Sequence, residues 1–357
     1  MRLAFLLAIL LSITSFAEDH VRAPQLTPQQ SGTTQRLQAI SPVNDKVVWA
    51  SGLGGTFVRT ADGGRHWHSG VVPGAENLQF RDVEGVSARV AYLLASGSGT
   101  DSRIYKTEDG GKSWTVQFAN QDPLAFYDCF SFWTPERGIT TSDSVSGRFP
   151  AIRTTNGETW HDIGNNMPTA LVGEAMFAAS GTCIATQGER RAWIGTGGAK
   201  DARVLFTSDG GNTWSAHDTP VVQGTPSSGI LSIAFRDARH GIIGAGELAI
   251  ADKVIGKTIA TSSDGGRTWH LRAPVPFVGS VFGLSYTHKS GEGDDEHGGR
   301  TVVATGPGGT AWTPDEGGHW HNLASLQNFW AVAFADAKSG WLVGTDGRIV
   351  NITFDHD

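Results

Sequence analysis

From residue 329 the chain reads Phe-Trp-Ala-Val-Ala-Phe, an alternation that predicts a strand with one buried face. Lys338-Ser-Gly then reads as a turn, Trp341-Leu-Val-Gly344 as a second strand, Asp346-Gly347 as a tight turn, and Arg348 to Phe354 as a third strand. The same rhythm runs back through the chain as short apolar runs divided by Gly-, Ser- and Asp-rich turns. Beyond residue 17 helical periodicity is hard to find. The pattern predicts an all-β protein built from four-stranded units, the last of which lacks one strand.

One turn punctuates the units. It reads TADGGRHW at 60–67, TEDGGKSW at 107–114, TSDGGNTW at 207–214, SSDGGRTW at 262–269 and TPDEGGHW at 313–320, with a copy one residue shorter, TTNGETW, at 154–160. Asp62, Asp109, Asp209, Asp264 and Asp315 each lie five residues before Trp67, Trp114, Trp214, Trp269 and Trp320. In the short copy Asn156 lies four before Trp160. The Asp side chain can accept from backbone N–H groups that a tight hairpin leaves unpaired, and the glycines supply positive φ. The Trp opens the next strand with a large apolar face and an N–H that needs a partner. Dispersed copies of one turn point to one geometry repeated rather than to six catalytic or metal-binding acids.

The spacings between successive Asp or Asn positions are 47, 47, 53, 55 and 51 residues. Six units with the turn plus the closing unit make seven. His20-Val-Arg-Ala-Pro24 resembles His270-Leu-Arg-Ala-Pro274, which follows the fifth copy. The N-terminal stretch is therefore expected to supply the outer strand of the last unit and hide the ring's edges. The predicted fold is a seven-bladed β-propeller in one domain over residues 18–357.

Residues 1–17 read as a secretory signal: Arg2, an apolar stretch from Leu3 to Ile13, and Ser15-Phe16-Ala17 as a small-x-small site. Export to the periplasm or outside the cell is the expectation. No later segment is apolar enough to span a bilayer. A net charge of −7 with no basic stripe argues against nucleic acid as a partner. The two cysteines, Cys129 and Cys183, fall by repeat register on different strands of neighbouring units, which predicts buried free thiols. The acidic loop at 291–299 lacks calcium-loop spacing, and no metal ligand set or cofactor motif is found.

Aligning the innermost strands gives one column of Gln38, Asp82, Cys129, Met176, Ser232, Gly283 and Ala331. Its neighbour reads Leu37, Arg81, Asp128, Ala175, Leu231, Phe282 and Trp330. Arg81 and Asp128 break the apolar run on adjacent blades, as a buried ion pair or as the polar wall of a site. The links between second and third strands are long in units two to five, at 96–102, 141–150, 187–201 and 246–257. The third of these includes Glu189, Arg190, Arg191 and Trp193. These loops are expected on one face, opposite the repeated turns. Arg81, Asp128, Glu174, Arg190 and Arg191 are the candidate contacts there. Asp128 with Glu174 is the best candidate for a catalytic acid/base pair.

The turn resembles the Asp-box, or BNR, repeat of sialidases and other β-propellers, where it caps hairpins away from the active site. The run from Phe329 to Gly344, with Ile233 to Gly241, resembles the repeat of the photosystem II assembly and stability factor family of seven-bladed propellers. The resemblance implies an exported scaffold that holds an exported or membrane protein. A glycoside hydrolase acting on a glycan is the alternative, but the Phe/Tyr-Arg-Ile-Pro motif of sialidases is missing; Arg148-Phe-Pro150 has the wrong place and order.

Overall fold

The computed structural model of the protein describes residues 23–253, 256–287 and 299–354. It holds seven four-stranded antiparallel sheets, each numbered outward from an inner strand. The inner strands of blades 1 to 7 are Leu37–Pro42, Phe80–Gly85, Tyr127–Thr134, Ile184–Gln187, Ser228–Phe235, Gly283–Tyr286 and Phe329–Phe334. The last blade follows the alternation closely, with Phe329–Phe334, Ser339–Gly344 and Arg348–Thr353 as its chain-terminal strands. Its fourth strand is Gln25–Gln30, paired antiparallel with Arg348–Thr353. The ring thus closes with N-terminal chain as expected. The strand begins just after the His20–Pro24 stretch, most of which lies outside the described residues. Among the described residues no helix is long and apolar enough to cross a membrane.

Second strands such as Val48–Gly52 and Ala91–Ala95 are buried at every position. A strand sandwiched between two neighbouring blades has no wet face, so it reads as a continuous apolar run. The outermost Gln25–Gln30 strand is mostly exposed. The core is therefore a set of inter-blade layers. Trp49 and Phe57 of blade 1 pack with Phe80, Leu93 and Tyr105 of blade 2, and Trp193 of blade 4 stacks on Phe235 of blade 5 at 3.7 Å. Burying large aromatic faces this way supplies the main stabilisation of a fold without a single central core.

The repeated turn explains itself in hydrogen bonds. Gly64, Gly111, Gly211, Gly266 and Gly317 N–H donate to the opening Thr or Ser hydroxyl at 2.9–3.0 Å. Each Asp Oδ1 accepts from the backbone N–H four residues on, at 2.8–2.9 Å. These bonds hold Asp109, Asp264 and Asp315 down to about 2 against the cost of burial. The short copy is one residue tighter: Gly157 N–H reaches Thr154 at 3.0 Å, and Asn156 Oδ1 accepts from Glu158 and Thr159. The Trp N–H expectation holds for Trp67, Trp269 and Trp320, which donate to Gln29, Gly266 and Ala273. Trp114, Trp160 and Trp214 bury theirs without a partner.

Three expectations are corrected. Cys129 and Cys183 are joined in a disulfide, Cα–Cα 6.0 Å, tying blade 3 to blade 4. Blade 4's inner strand starts at Ile184, so Ala175 and Met176 precede it instead of lying within it. In blade 1 the column is shifted by one residue. Gln38, Arg81, Asp128, Leu231 and Trp330 are each the extra residue of a β-bulge, so Gln38 belongs beside Arg81 and Ala39 beside Asp82.

Candidate functional site

The link between third and fourth strands carries the repeated turn and sits on one face of the ring, with the link between first and second strands. The second-to-third links and the connections between blades sit on the other, here called the loop face. The bulges lie at the loop-face end of the inner strands. A bulge re-aims the side chain of its extra residue. That is why Arg81 and Asp128 break the apolar pattern: both sit where the inner strands converge on the channel.

Arg81 and Asp128 form no direct ion pair. Half-buried Arg81 donates from Nε and Nη2 to Gln79 Oε1 at 3.2 and 2.8 Å, and from Nη1 to the Ala178 carbonyl at 3.2 Å. Its guanidinium lies 5.9 Å from the Phe126 ring centroid. Burial lowers its pKa, and the Asp128 charge works the other way. Asp128 faces Asp143, the first residue of blade 3's long loop. Burial and then the Asp143 charge push Asp128 well above the usual carboxylate range, while burial raises Asp143 to about 6. Asp128 Oδ2 is buried without a donor. Burial of two neighbouring carboxyl groups accounts for both raised values.

Glu174 is fully engaged in structure. It is 1% exposed and takes Arg203 Nε at 2.9 Å, Arg203 Nη2 at 2.5 Å, the Thr196 hydroxyl at 2.7 Å and the Leu171 N–H at 2.7 Å. A carboxyl group held by a two-pronged guanidinium and two further donors has both oxygens occupied and no free lone pair for proton transfer. The candidate acid/base pair of Asp128 and Glu174 is thereby undone. Asp128 is matched with Asp143, Glu174 with Arg203.

Arg190 and Arg191 are on the opposite face. They open the second strand of blade 4, Arg191–Gly195, after the turn from its first strand, and Trp193 is fully buried in that strand. Blade 4's long link is 196–202. The Arg190 carbonyl accepts from Gly210 N–H at 2.9 Å. Lys46, Arg89 and Arg239 do the same for Gly63, Gly110 and Gly265. Arg190 therefore occupies a repeat position. The basic residue one or two positions before the second strand in several units was the sequence signal for it.

Two features escaped the sequence reading. Half-buried Arg36 lies 4.2 Å from the Trp330 ring centroid on the loop face, with its Nε buried and unpartnered. Burial and the nearby Arg81 charge lower its pKa. The other is the stretch Met176–Thr182, which crosses the propeller axis. Ser180 Oγ donates to the Phe282 carbonyl of blade 6 at 2.6 Å, and Thr182 Oγ1 bonds Ser232 Oγ of blade 5 at 2.7 Å. Phe177 and Ala179 pack with Leu231 and Phe282, backed by Trp330. The central channel is a blind cavity of about 650 Å³ lined by inner strands of every blade and by Ser180–Thr182.

No protein-family model matches the chain, and no curated protein matches it. Solved structures do. A structure of YCF48 bound to D1 peptide is 16% identical, with 94% of this chain and 98% of that chain covered, TM-score 0.64. YCF48 from Cyanidioschyzon merolae is 17% identical over 93% and 99% of the two chains, TM-score 0.61. The GH74 xyloglucanase from Xanthomonas campestris is 14% identical, covering 91% of this chain and 53% of that chain, TM-score 0.59. At these identities the likeness is one of fold: the chain shares the propeller architecture of these proteins.

Proposed function

We propose that this is an exported propeller that docks a protein partner on its loop face. The observation that carries the reading is where apolar surface is left exposed. Of the eight strongly exposed large apolar side chains among the described residues, Val71, Leu124, Val172, Leu248, Ile250 and Val278 lie on loop-face links or strand ends; only Val116 and Leu271 do not. Exposed apolar groups gathered on one face mark interaction surfaces, whereas scattered ones carry no meaning. At the centre of this face the guanidinium groups of Arg36 and Arg81 lie over aromatic rings, and Arg36 keeps an unpartnered donor. A cation half-desolvated on an aromatic shelf favours an acidic residue of the partner.

The YCF48 structure bound to a peptide supports a protein or peptide as the partner. The repeated turns then serve as Asp-box-type hairpin caps on the other face. The glycosidase alternative loses its carboxylate pair to Asp143 and Arg203. The test is co-purification from the exported fraction with the wild type, Arg36→Glu, and Leu124→Asp with Val172→Asp. Loss of one specific protein with the loop-face variants, and its retention by Arg191→Glu on the other face, supports the reading. Equal recovery by all variants overturns it.

A further inference from the structure

Each blade hands the chain to the next through a connection on the loop face. Six of these connections press a buried apolar side chain into the layer between the blades they join: Val72, Ala125, Ile163, Val221, Val275 and Leu323. The seventh runs from the outer strand of blade 7, Gln25–Gln30, to the inner strand of blade 1, Leu37–Pro42. It reads Ser-Gly-Thr-Thr-Gln-Arg over 31–36, without an apolar residue, and contributes nothing to the layer between blades 7 and 1. A cavity of about 1070 Å³ lies at this seam, larger than the central channel. It runs from Thr56 and Val71 of blade 1 past Thr34 and Gln35 to Leu326 and Val350. Thr56 is 2% exposed and its hydroxyl is buried without a partner, while Val71 is 48% exposed. Among the described residues its charged lining is one exposed acid, Asp346, and one base, Arg348. The Arg348 guanidinium is spent on the Gln327 and Thr345 carbonyls and on the Phe329 ring.

We propose that this seam receives an extended segment of the protein partner, which supplies in trans the apolar plug that the seventh connection lacks and sets an acidic residue on Arg36. The inference rests on the reading of the loop face as a docking surface, and it names the chemistry of what docks there. The floor of Leu26, Leu326 and Val350 rewards burial of an aliphatic or aromatic side chain. A charged side chain in the same place would lose its water without gaining a free counter-ion. The hydroxyl and amide groups of Thr34, Gln35 and Thr56 offer hydrogen bonds to the main chain of such a segment. Arg36 follows Gln35 directly, its guanidinium on the Trp330 ring and its Nε unpartnered, so the acid belongs at that end.

The test displays a library of random linear peptides on phage and selects it on the immobilised full chain. The expected result is an enriched set in which an acidic residue stands beside a bulky apolar one. A synthetic peptide from that set should bind Thr34→Trp, which fills the cavity in cis, at least about tenfold more weakly than the wild type, the effect of losing one buried apolar side chain. Arg36→Glu should weaken it as much, and Arg191→Glu, across the ring, should leave it as it is. Ser325→Trp fills the same cavity from the blade 7 side should Thr34→Trp not fold. A library without enrichment, a set without that pairing, or a peptide that binds a folded filled variant as well as the wild type overturns the proposal. So does a wild-type dimer in sedimentation that the filled variant abolishes, because a second copy would then be the occupant. A co-purified partner lost with Arg36→Glu but kept by the filled variant leaves the docking face standing and overturns the seam alone.

Discussion

The carboxylates of this propeller fall into two groups that behave oppositely. Those of the rim turns, such as Asp264, are met by backbone and hydroxyl donors and sit below the usual range. Those of the axis, Asp128 and Asp143, meet each other inside the ring and sit above it. The rim repeats one solution, so each copy carries a small share of the stability. The axis is built once, from residues of several blades, so a single change there falls on a contact without a duplicate. Position in the ring decides what an acid does.

The contrast is tested hardest at Glu174. Arg203→Ala leaves its carboxylate buried and uncompensated, which should cost about 3–5 kcal/mol. Adding Glu174→Leu should recover much of that, since the buried charge goes with its partner. Chemical denaturation of the single and double variants measures both. A cost below about 1 kcal/mol for Arg203→Ala would place Glu174 in contact with solvent.

Next is the disulfide. Replacing Cys129 and Cys183 by Ala opens a loop spanning 54 residues and should cost about 2–4 kcal/mol, read as a fall in the denaturation midpoint. The same loss should appear in reductant once the chain is unfolded and refolded, because the bond is fully buried in the native state.

This disulfide also shows where sequence reasoning ran out. In blade 7 the alternation of Phe329–Phe334 marked the strand, and the turn motif marked the blades, because both obey local rules of period and turn chemistry. In blade 4 the apolar stretch Ala175–Ala179 has strand-like composition, yet it is buried by other blades meeting on the axis, a non-local cause. Taking it for the inner strand displaced Cys183 from the start of the true strand, and so from Cys129. It also pushed Arg190 and Arg191 into a loop they do not occupy. The loop-face position of Arg81 was legible because a bulge leaves a mark in the pattern. Arg36 was not, since it precedes the first strand and the blade 1 column was shifted by one.

A pH series sharpens the comparison at a smaller scale. The rim acids have folded values below the unfolded 3.8, so their contribution is present above about pH 4 and is lost as pH falls toward about 2. Asp143 has a folded value raised to about 6, so its contribution declines as pH rises from about 4 to about 6. Asp264→Ala removes the acceptor of four hydrogen bonds and should cost about 1 kcal/mol, softening only the acid limb of a Tm–pH curve. Asp143→Asn should flatten only the limb between about pH 4 and 6. If both variants moved the same limb, the two groups of acids would not be distinct.

The smallest effect is expected at Arg190 and Arg191. Both side chains are exposed, and the service Arg190 renders to the turn at Gly210 comes from its backbone carbonyl, which any residue supplies. Arg191 donates only to Gln187, at 3.4 Å. Charge reversal at both positions should therefore shift stability by no more than about 0.5 kcal/mol, as for other surface substitutions. A partner that docks on the loop face should bind the double variant as it binds the wild type, because the substitutions lie across the ring from it. Arg36→Glu should leave stability similar while weakening that same partner. The two substitutions thus separate charge as such from charge in place. A partner lost equally from both would respond to net charge and not to the loop face.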